Sequence, residues 1–189
     1  MIEMAIAVGV IAVIAIVAIP NIDFRKFEMD SNARNVQNHI IAAQTTAVQK
    51  NKNVVLTFVY CNNQFRTVID ANGNNGYDAG ETRTWVNLSE GAKFVTPLTT
   101  IDGAGLYYAT GPGIIVYNNV AATNGQVCVS SPSIVLYPRG STSGDVVIYI
   151  GSAAGRKQDY RAIQVYGATG KVHIWRTQPD GSWKESDMQ

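Results

Sequence analysis

The first nineteen residues most constrain what this chain can fold into, because all of them except Glu3 are apolar or glycine. As a helix, this segment is long enough to cross about 28 Å of hydrocarbon. A buried helix of a water-soluble protein would show a polar face, and this segment has none. A cleaved signal peptide would have a basic start and a small-residue cleavage site, whereas this run ends in Ile19-Pro20. A membrane anchor fits the length but leaves Glu3 unexplained.

After Pro20 the sequence is amphipathic and still helical in pattern. Charged and amide side chains are expected on one face of this second part. Pro20 has no N–H and clashes with the preceding turn, so it predicts a kink. We therefore expect one helix of about fifty residues, apolar over 1–20 and amphipathic over 21–52. The residues expected on its buried face are Phe27, Ala33, Val36 or Gln37, Ile40, Ala43 and Ala47.

From residue 53 to residue 189 the apolar pattern changes to a period of two, which is typical of strands. The chain therefore predicts an α+β fold, in which a long kinked N-terminal helix packs on an antiparallel sheet domain. Turn residues predict a tight hairpin at 166–171 and a looser one at 138–144. In the last of these strands, Trp175 is expected on the solvent-exposed face. Seven segments are predicted to be strands: 54–60, 64–69, 113–118, 133–138, 145–150, 161–167 and 171–176.

The N-terminal segment resembles the first helix of type IV pilins and type II secretion pseudopilins. In that family a glutamate precedes a helix-kinking proline by 17 positions, as Glu3 precedes Pro20 here. The family glutamate is the fifth residue of the mature chain and Glu3 is the third, so either two residues are absent or the start is shortened. The strand region is similar to H-type minor pseudopilins and related minor pilins in the loop at 70–81, in 137–140 and in 170–173.

The resemblance implies a structural subunit and not an enzyme. It would polymerise with identical subunits through its N-terminal helix, beside other pilins or pseudopilins and an inner-membrane assembly platform. Glu3 would pair with the N-terminal ammonium of a neighbouring subunit, because an unpaired buried charge is costly. A carboxylate that snorkels to the membrane interface is the alternative.

The resemblance also implies a location. The subunit would lie in the bacterial inner membrane before assembly, with a methylated N-terminus, and then in an extracellular pilus or a periplasmic pseudopilus. We expect a major subunit of a pilus-like filament, and a minor pseudopilin of type II secretion is the alternative. A membrane-tethered calcium- or ligand-binding module, with the helix only as an anchor, is a third class of function.

Composition and the histidines argue against several other functions. The 15 Lys and Arg and 14 Asp and Glu give a net charge of +1, without a basic block, so nucleic-acid binding is not indicated. His39 and His173 have no acidic, cysteine or histidine neighbour at ligand spacing, so neither predicts a zinc or catalytic site. No nucleophile, acid–base pair or phosphate-binding loop stands out.

The two cysteines, Cys61 and Cys128, lie far apart in sequence. Charged residues make up only 15% of the chain, which favours an extracytoplasmic surface. In that oxidising compartment the cysteines predict one long-range disulfide, and two buried thiols are the alternative.

Residues 70–81 have oxygen-bearing groups at the spacing of the twelve-residue calcium loop. Position six is Asn75 instead of glycine, although asparagine tolerates left-handed backbone geometry. The loop also follows a strand and not a helix. We expect Ca²⁺ here, and a plain connection between strands is the alternative. The residues at ligand positions 1, 3, 5, 7, 9 and 12 are Asp70, Asn72, Asn74, Gly76 (through its carbonyl), Asp78 and Glu81.

Overall fold

The computed structural model describes residues 4, 7–11, 24–59, 62–89, 91–95, 133–152 and 154–186. Residues 4 and 7–11 are helical. The longer elements that follow, in chain order, are α1 (Phe24–Lys50), β1 (Val54–Val59), β2 (Gln64–Ile69), β3 (Arg83–Asn87), β4 (Ala92–Phe94), β5 (Ser133–Leu136), β6 (Val146–Ser152), a 3-10 turn (Lys157–Asp159), β7 (Arg161–Val165), β8 (Val172–Thr177) and β9 (Trp183–Glu185).

α1 ends where Asn51 adopts a left-handed backbone conformation, with a φ of 50°. The amide of Lys52 donates to the carbonyl of Ala47 at 3.2 Å, and the amide of Asn51 donates to the carbonyl of Val48 at 3.3 Å. These two bonds form a Schellman motif with asparagine in the position that glycine usually takes. α1 lies within the predicted amphipathic part at 21–52, whereas the predicted kink at Pro20 lies outside the described residues.

The described strands form two antiparallel sheets instead of the single predicted sheet. Sheet A has the order β3-β2-β1-β5, and sheet B has the order β4-β6-β7-β8-β9. Six predicted strands are confirmed as β1, β2, β5, β6, β7 and β8, and the segment 113–118 lies outside the described residues. The sequence did not predict β3, β4 and β9. β3 and β9 are short, largely exposed edge strands, in which burial imposes little alternation.

The two predicted hairpins have different outcomes. The tight one at 166–171 is confirmed, since it joins the paired strands β7 and β8 and the amide of Tyr166 donates to the carbonyl of Lys171 at 2.9 Å. The looser one at 138–144 forms only as a short reversal, in which Leu136 and Thr142 make an antiparallel bridge and the amide of Tyr137 donates to the carbonyl of Ser141 at 2.9 Å. It does not join two paired strands, because β5 pairs with β1 whereas β6 pairs with β4 and β7. The amide of Thr142 donates to the carbonyl of Gly167 at 2.7 Å, which draws this connection across to sheet B.

The main core lies between α1 and the two sheets. One face of the helix, which we call the inner stripe, packs with inward-facing side chains of both sheets. Three of its six residues are alanine, so the helix backbone can approach the strands closely. Burial of each larger side chain contributes about 1.5–3 kcal/mol. The inner stripe consists of Met29, Ala33, Val36, Ile40, Ala43 and Ala47, none of them more than 4% exposed.

Polar contacts fasten both ends of α1 to sheet B. Near the helix start, the guanidinium of Arg161 on β7 donates to the carboxylate of Asp30 at 2.5 Å. Near its end, the side-chain amide of Gln44 donates to the carbonyl of Gly170 at 2.6 Å. Residue 170 must be glycine, because its φ is 65° and a Cβ there would overlap the carbonyl of Gly140. These contacts set the position of the helix along the sheet.

The prediction that Trp175 lies on a solvent-exposed face is wrong. Trp175 is 8% exposed and belongs to an aromatic cluster with Tyr149 and Tyr160 on the side of sheet B opposite the main core. Its indole N–H donates to the side-chain oxygen of Gln164 at 3.2 Å. Large neighbouring rings cover one another on this face, so alternation along one strand does not indicate exposure.

Candidate functional site

α1 has a second row of side chains, the outer stripe, on the side away from the sheets. Its positions alternate at steps of three and four residues, which is the spacing of a helix seam that packs on another helix. Every residue of the stripe is exposed, and Phe27, expected in the core, is 76% exposed. The outer stripe consists of Phe24, Phe27, Ser31, Arg34, Asn38, Ile41, Thr45 and Val48.

The exposed apolar surface is densest at the start of α1. Residues 24–28 are all exposed, including Phe24 at 59%. Further towards the N-terminus, Met4, Val8 and Ile11 are 77%, 66% and 66% exposed. Among the described residues, no helix combines the length and the hydropathy needed to span a bilayer.

Four of the predicted site residues lie outside the described residues. These are Glu3 and Pro20, predicted for assembly, and Cys61 and Cys128, predicted to form a disulfide. Both assignments stay predictions.

Asp70 organises the first half of the predicted calcium loop. It is 2% exposed, and its two carboxylate oxygens accept hydrogen bonds from the backbone amides of Gly73 at 2.7 Å and Asn75 at 2.8 Å. Gly73 and Asn75 have φ values of 80° and 59°, which orients these amides towards the carboxylate. Asn75 therefore takes the left-handed conformation that glycine provides in other loops of this length.

Asp78 and Glu81 organise the second half of the loop. The side-chain amides of Asn72 and Asn74 each donate to one oxygen of Asp78 at 2.5 Å. The two oxygens of Glu81 accept from the backbone amides of Ala71 at 2.7 Å and Asp78 at 3.0 Å. Each of the loop's carboxylates is thus bound to internal N–H donors.

The oxygen donors of the loop are of the kind that a hard cation prefers. The amide oxygens of Asn72 and Asn74 accept hydrogen bonds from the backbone amides of Asn74 at 3.1 Å and Gly76 at 2.8 Å, so a calcium ion would have to share these oxygens or displace these bonds. Gly76 has its amide bound to Asn74 at 2.8 Å, which leaves its carbonyl for a ligand. Within the described part of the chain, no three His, Cys, Asp or Glu side chains converge as a metal-binding group. Calcium at this loop stays a prediction.

A second buried carboxylate, Asp159, has a different environment. It is fully buried and accepts hydrogen bonds from Ser152 at 2.6 Å and from two nitrogens of Arg156 at 2.8 and 2.9 Å. Burial alone would raise the pKa of this carboxyl group. The hydrogen bonds from Arg156 and Ser152, with the positive charges of Arg156 and Arg161, outweigh burial and lower the pKa below its usual value. This network holds the turn that precedes Arg161, the residue that contacts Asp30.

The two histidines have structural contacts. His39 packs edge-on against the ring of Phe65, with centroids 5.3 Å apart. His173 contacts the carboxylate of Glu185 on the neighbouring strand and packs edge-on against Tyr166 at 5.2 Å. In the described chain, neither belongs to a group of three potential metal ligands.

Comparisons with known proteins give similarity only at the level of structure. No family model matches the sequence, and no curated protein matches it. One similar structure is that of the minor pseudopilin EpsH from the type 2 secretion system of Vibrio cholerae, with a TM-score of 0.44, 8% identity and coverage of 84% of this chain and 96% of that chain. A crystal structure of the same pseudopilin has a TM-score of 0.42, 10% identity and coverage of 85% and 94%. These values are too low to transfer a role to this chain.

Proposed function

We propose that this chain is a structural subunit of a pilin-like filament that polymerises through its N-terminal helix. The observation that supports this most is the outer stripe of α1, which follows the apolar segment 1–19 and places Phe24 and Phe27 on the surface. Exposed apolar area costs about 25 cal/mol per Å² relative to burial. Neighbouring helices in a filament would cover this area.

The composition of the outer stripe favours packing on other helices over burial in lipid. Ser31, Arg34 and Asn38 occupy its middle, and side chains of this kind are costly in hydrocarbon. Segment 1–19 has no such residues beyond Glu3. We therefore place segment 1–19 in the inner membrane before assembly and in the filament core afterwards, with the outer stripe among neighbouring subunits.

Glu3 would set the register between subunits. A lone carboxylate in an apolar bundle is strongly destabilising unless a cation meets it, and the N-terminal ammonium of the next subunit is such a cation. Only the axial position that joins the two charges would then be stable, which gives the filament a defined rise.

Replacing Glu3 with alanine tests this proposal. We expect Glu3→Ala to prevent filament formation while membrane insertion and domain melting stay unchanged. Glu28→Gln is the matched control, since Glu28 is an exposed carboxylate of α1 and should tolerate the loss of charge. Electron microscopy and pelleting of sheared material provide the measurement. Wild-type quantities of fibres from Glu3→Ala would show that the docking role is wrong.

The type of filament needs a separate experiment. Long surface fibres that consist of this chain would support a major pilus subunit, together with other pilins and an assembly platform as partners. A short periplasmic pseudopilus of type II secretion is the second candidate, and the resemblance of the short motifs at 70–81, 137–140 and 170–173 to H-type minor pseudopilins supports it. Chain that stays monomeric in the membrane would instead support the tethered-module alternative. Neighbouring genes for a retraction ATPase or for exoproteins would separate the two filament types.

A further inference from the structure

Four side chains form an alternating row of guanidinium groups and aromatic rings at the β3 edge of sheet A. The Arg66 guanidinium lies over the ring of Tyr77 at 4.9 Å and over the ring of Trp85 at 5.5 Å, and the Arg83 guanidinium lies over Tyr77 at 5.2 Å. Arg66 and Trp85 are directly paired across β2 and β3, whereas Tyr77 comes from the 70–81 loop. We call these four residues the arginine–aromatic ladder.

The two guanidinium groups of the ladder are held by aromatic rings and not by carboxylates. The salt bridges found among the described residues do not involve Arg66 or Arg83. In addition, the Nε of Arg66 is buried and has no hydrogen-bond partner. Cation–π contacts hold both guanidinium groups in place. The buried Nε of Arg66 is out of reach of a partner, so an anion would bind the exposed guanidinium of Arg83 and the terminal nitrogens of the half-buried Arg66.

The ladder is also accessible and already ordered. Trp85 is 45% exposed and Tyr77 is 37% exposed, so both keep ring surface available for contact. Trp, Tyr and Arg are the side chains that most often dominate binding at protein interfaces. Because the four side chains restrain one another, a partner would lose less side-chain entropy on binding here than on an unrestrained surface.

We propose that the ladder docks an acidic peptide segment of a partner protein. Carboxylates of the partner would accept hydrogen bonds from Arg66 and Arg83, and its apolar groups would lie on Trp85 and Tyr77. A nucleic acid is the weaker choice, because two arginines on a chain with a net charge of +1 and no basic block cannot follow a long run of phosphates. This inference does not depend on the filament function.

A second arginine–tyrosine contact on the same protein provides a matched control. The guanidinium of Arg139 lies over Tyr137 at 5.4 Å, but its Nε already donates to the hydroxyl of Ser141 at 2.8 Å. This pair therefore has a single arginine–tyrosine cation–π contact, without the second arginine and second aromatic ring of the ladder.

Binding of fluorescent poly-L-glutamate to the full-length protein in non-ionic detergent tests the proposal. At low ionic strength we expect the double variant Arg66→Gln, Arg83→Gln to bind at least about tenfold more weakly than wild type. Arg139→Gln should stay within about twofold of wild type. Trp85→Ala keeps both charges and should give an intermediate loss, so it tests the ladder even if the double variant folds poorly.

Several results would overturn the proposal. These are no binding of poly-L-glutamate by wild type, an equal loss in Arg139→Gln, or no loss in a folded double variant. Binding of heparin in preference to poly-L-glutamate would assign the ladder to a polyanion with sulfate or phosphate groups instead. Self-association that disappears in the double variant would assign it to contacts between copies of this chain.

Discussion

The inner and outer stripes of α1 have the same spacing but opposite distributions of side-chain size. The inner stripe has alanine at three of six positions, whereas the outer stripe includes Phe24 and Phe27, the two largest side chains of the helix. Small residues let the helix pack closely against the two sheets. Large apolar residues on the other side expose apolar surface to water, which is unfavourable. The inner stripe thus maintains the fold, and the outer stripe has the properties expected of an assembly surface.

The same contrast holds for the polar side chains of the helix. On the inner side, Asn32 is 2% exposed and its amide oxygen accepts from both the backbone and the hydroxyl of Ser89, at 3.0 and 2.7 Å. On the outer side, Ser31 and Asn38 are exposed. Asn32 is therefore tied to a defined partner within the fold, while Ser31 and Asn38 face solvent.

Neighbouring isoleucines test the contrast most directly. Ile40 is fully buried and Ile41 is 45% exposed. We expect Ile40→Ala to lower the free energy of unfolding by about 2–5 kcal/mol, because it leaves a cavity against the sheets. Ile41→Ala should change it by less than about 0.5 kcal/mol. Chemical denaturation followed by tryptophan fluorescence measures both, and equal losses would contradict the division into two stripes.

The next largest effect is expected at Asp159, which holds the turn that presents Arg161 to α1. Asp159→Asn should cost about 1–3 kcal/mol at neutral pH, because buried donors lose a charged acceptor. The folded-state pKa is lowered from 3.8, so this stabilisation is complete well above pH 3.8 and is lost as the pH falls below it, through the folded-state value.

Measuring unfolding against pH checks the assignment to Asp159. The difference between wild type and Asp159→Asn should be constant near neutrality and should shrink in acid. Glu28→Gln is the control, since Glu28 is an exposed carboxylate of α1. If the difference in unfolding free energy between the two proteins were the same at the lowest pH, the charge of Asp159 would not be the source of the stabilisation.

A smaller effect is expected from calcium at the 70–81 loop. We expect an extracytoplasmic site of this kind to have a Kd of about 0.1–1 mM. When the free calcium concentration is about tenfold above that Kd, binding would stabilise the domain by about 1.4 kcal/mol. Chelator should lower the melting temperature of wild type, and Glu81→Ala should remove the dependence on calcium. Glu28→Ala, which removes an acid from α1, should keep it. Identical melting of wild type in chelator and in millimolar calcium would leave this loop as a plain connection.

The smallest effect on stability is expected at Phe27, where the effect on assembly should be large. Phe27→Gln keeps helix propensity and removes apolar surface that is already exposed, so unfolding should change by less than about 0.5 kcal/mol. Filament yield should fall strongly, whereas Asn38→Gln on the same stripe should leave it unchanged. If Phe27→Gln assembled like wild type but melted earlier, the outer stripe would belong to the fold.

Features with a local physical cause could be predicted from the sequence. The period of three to four residues predicted the helical segment that contains α1, and the period of two predicted six strands, because each pattern follows from the geometry of its own backbone. The turn at 166–171 was predictable for the same reason, since glycine at residue 170 permits the left-handed conformation found there. The spacing of Glu3 and Pro20 and the oxygen pattern of 70–81 are also properties of the sequence alone.

Features that depend on distant residues were decided only by the tertiary structure. Two stripes with the same spacing fit α1 equally well as sequence patterns, and close packing against the sheets selected the one with alanines, which left Phe27 outside. The chain after β5 crosses to a second sheet because Thr142 bonds to Gly167, a partner that no local pattern specifies. The ladder likewise joins Arg66, Tyr77 and Trp85 only because β2, β3 and the intervening loop meet. The periodicity of a segment shows which of its own side chains can be buried together. Which other segment it packs against depends on the side-chain volumes and hydrogen-bond donors of residues far away in the sequence.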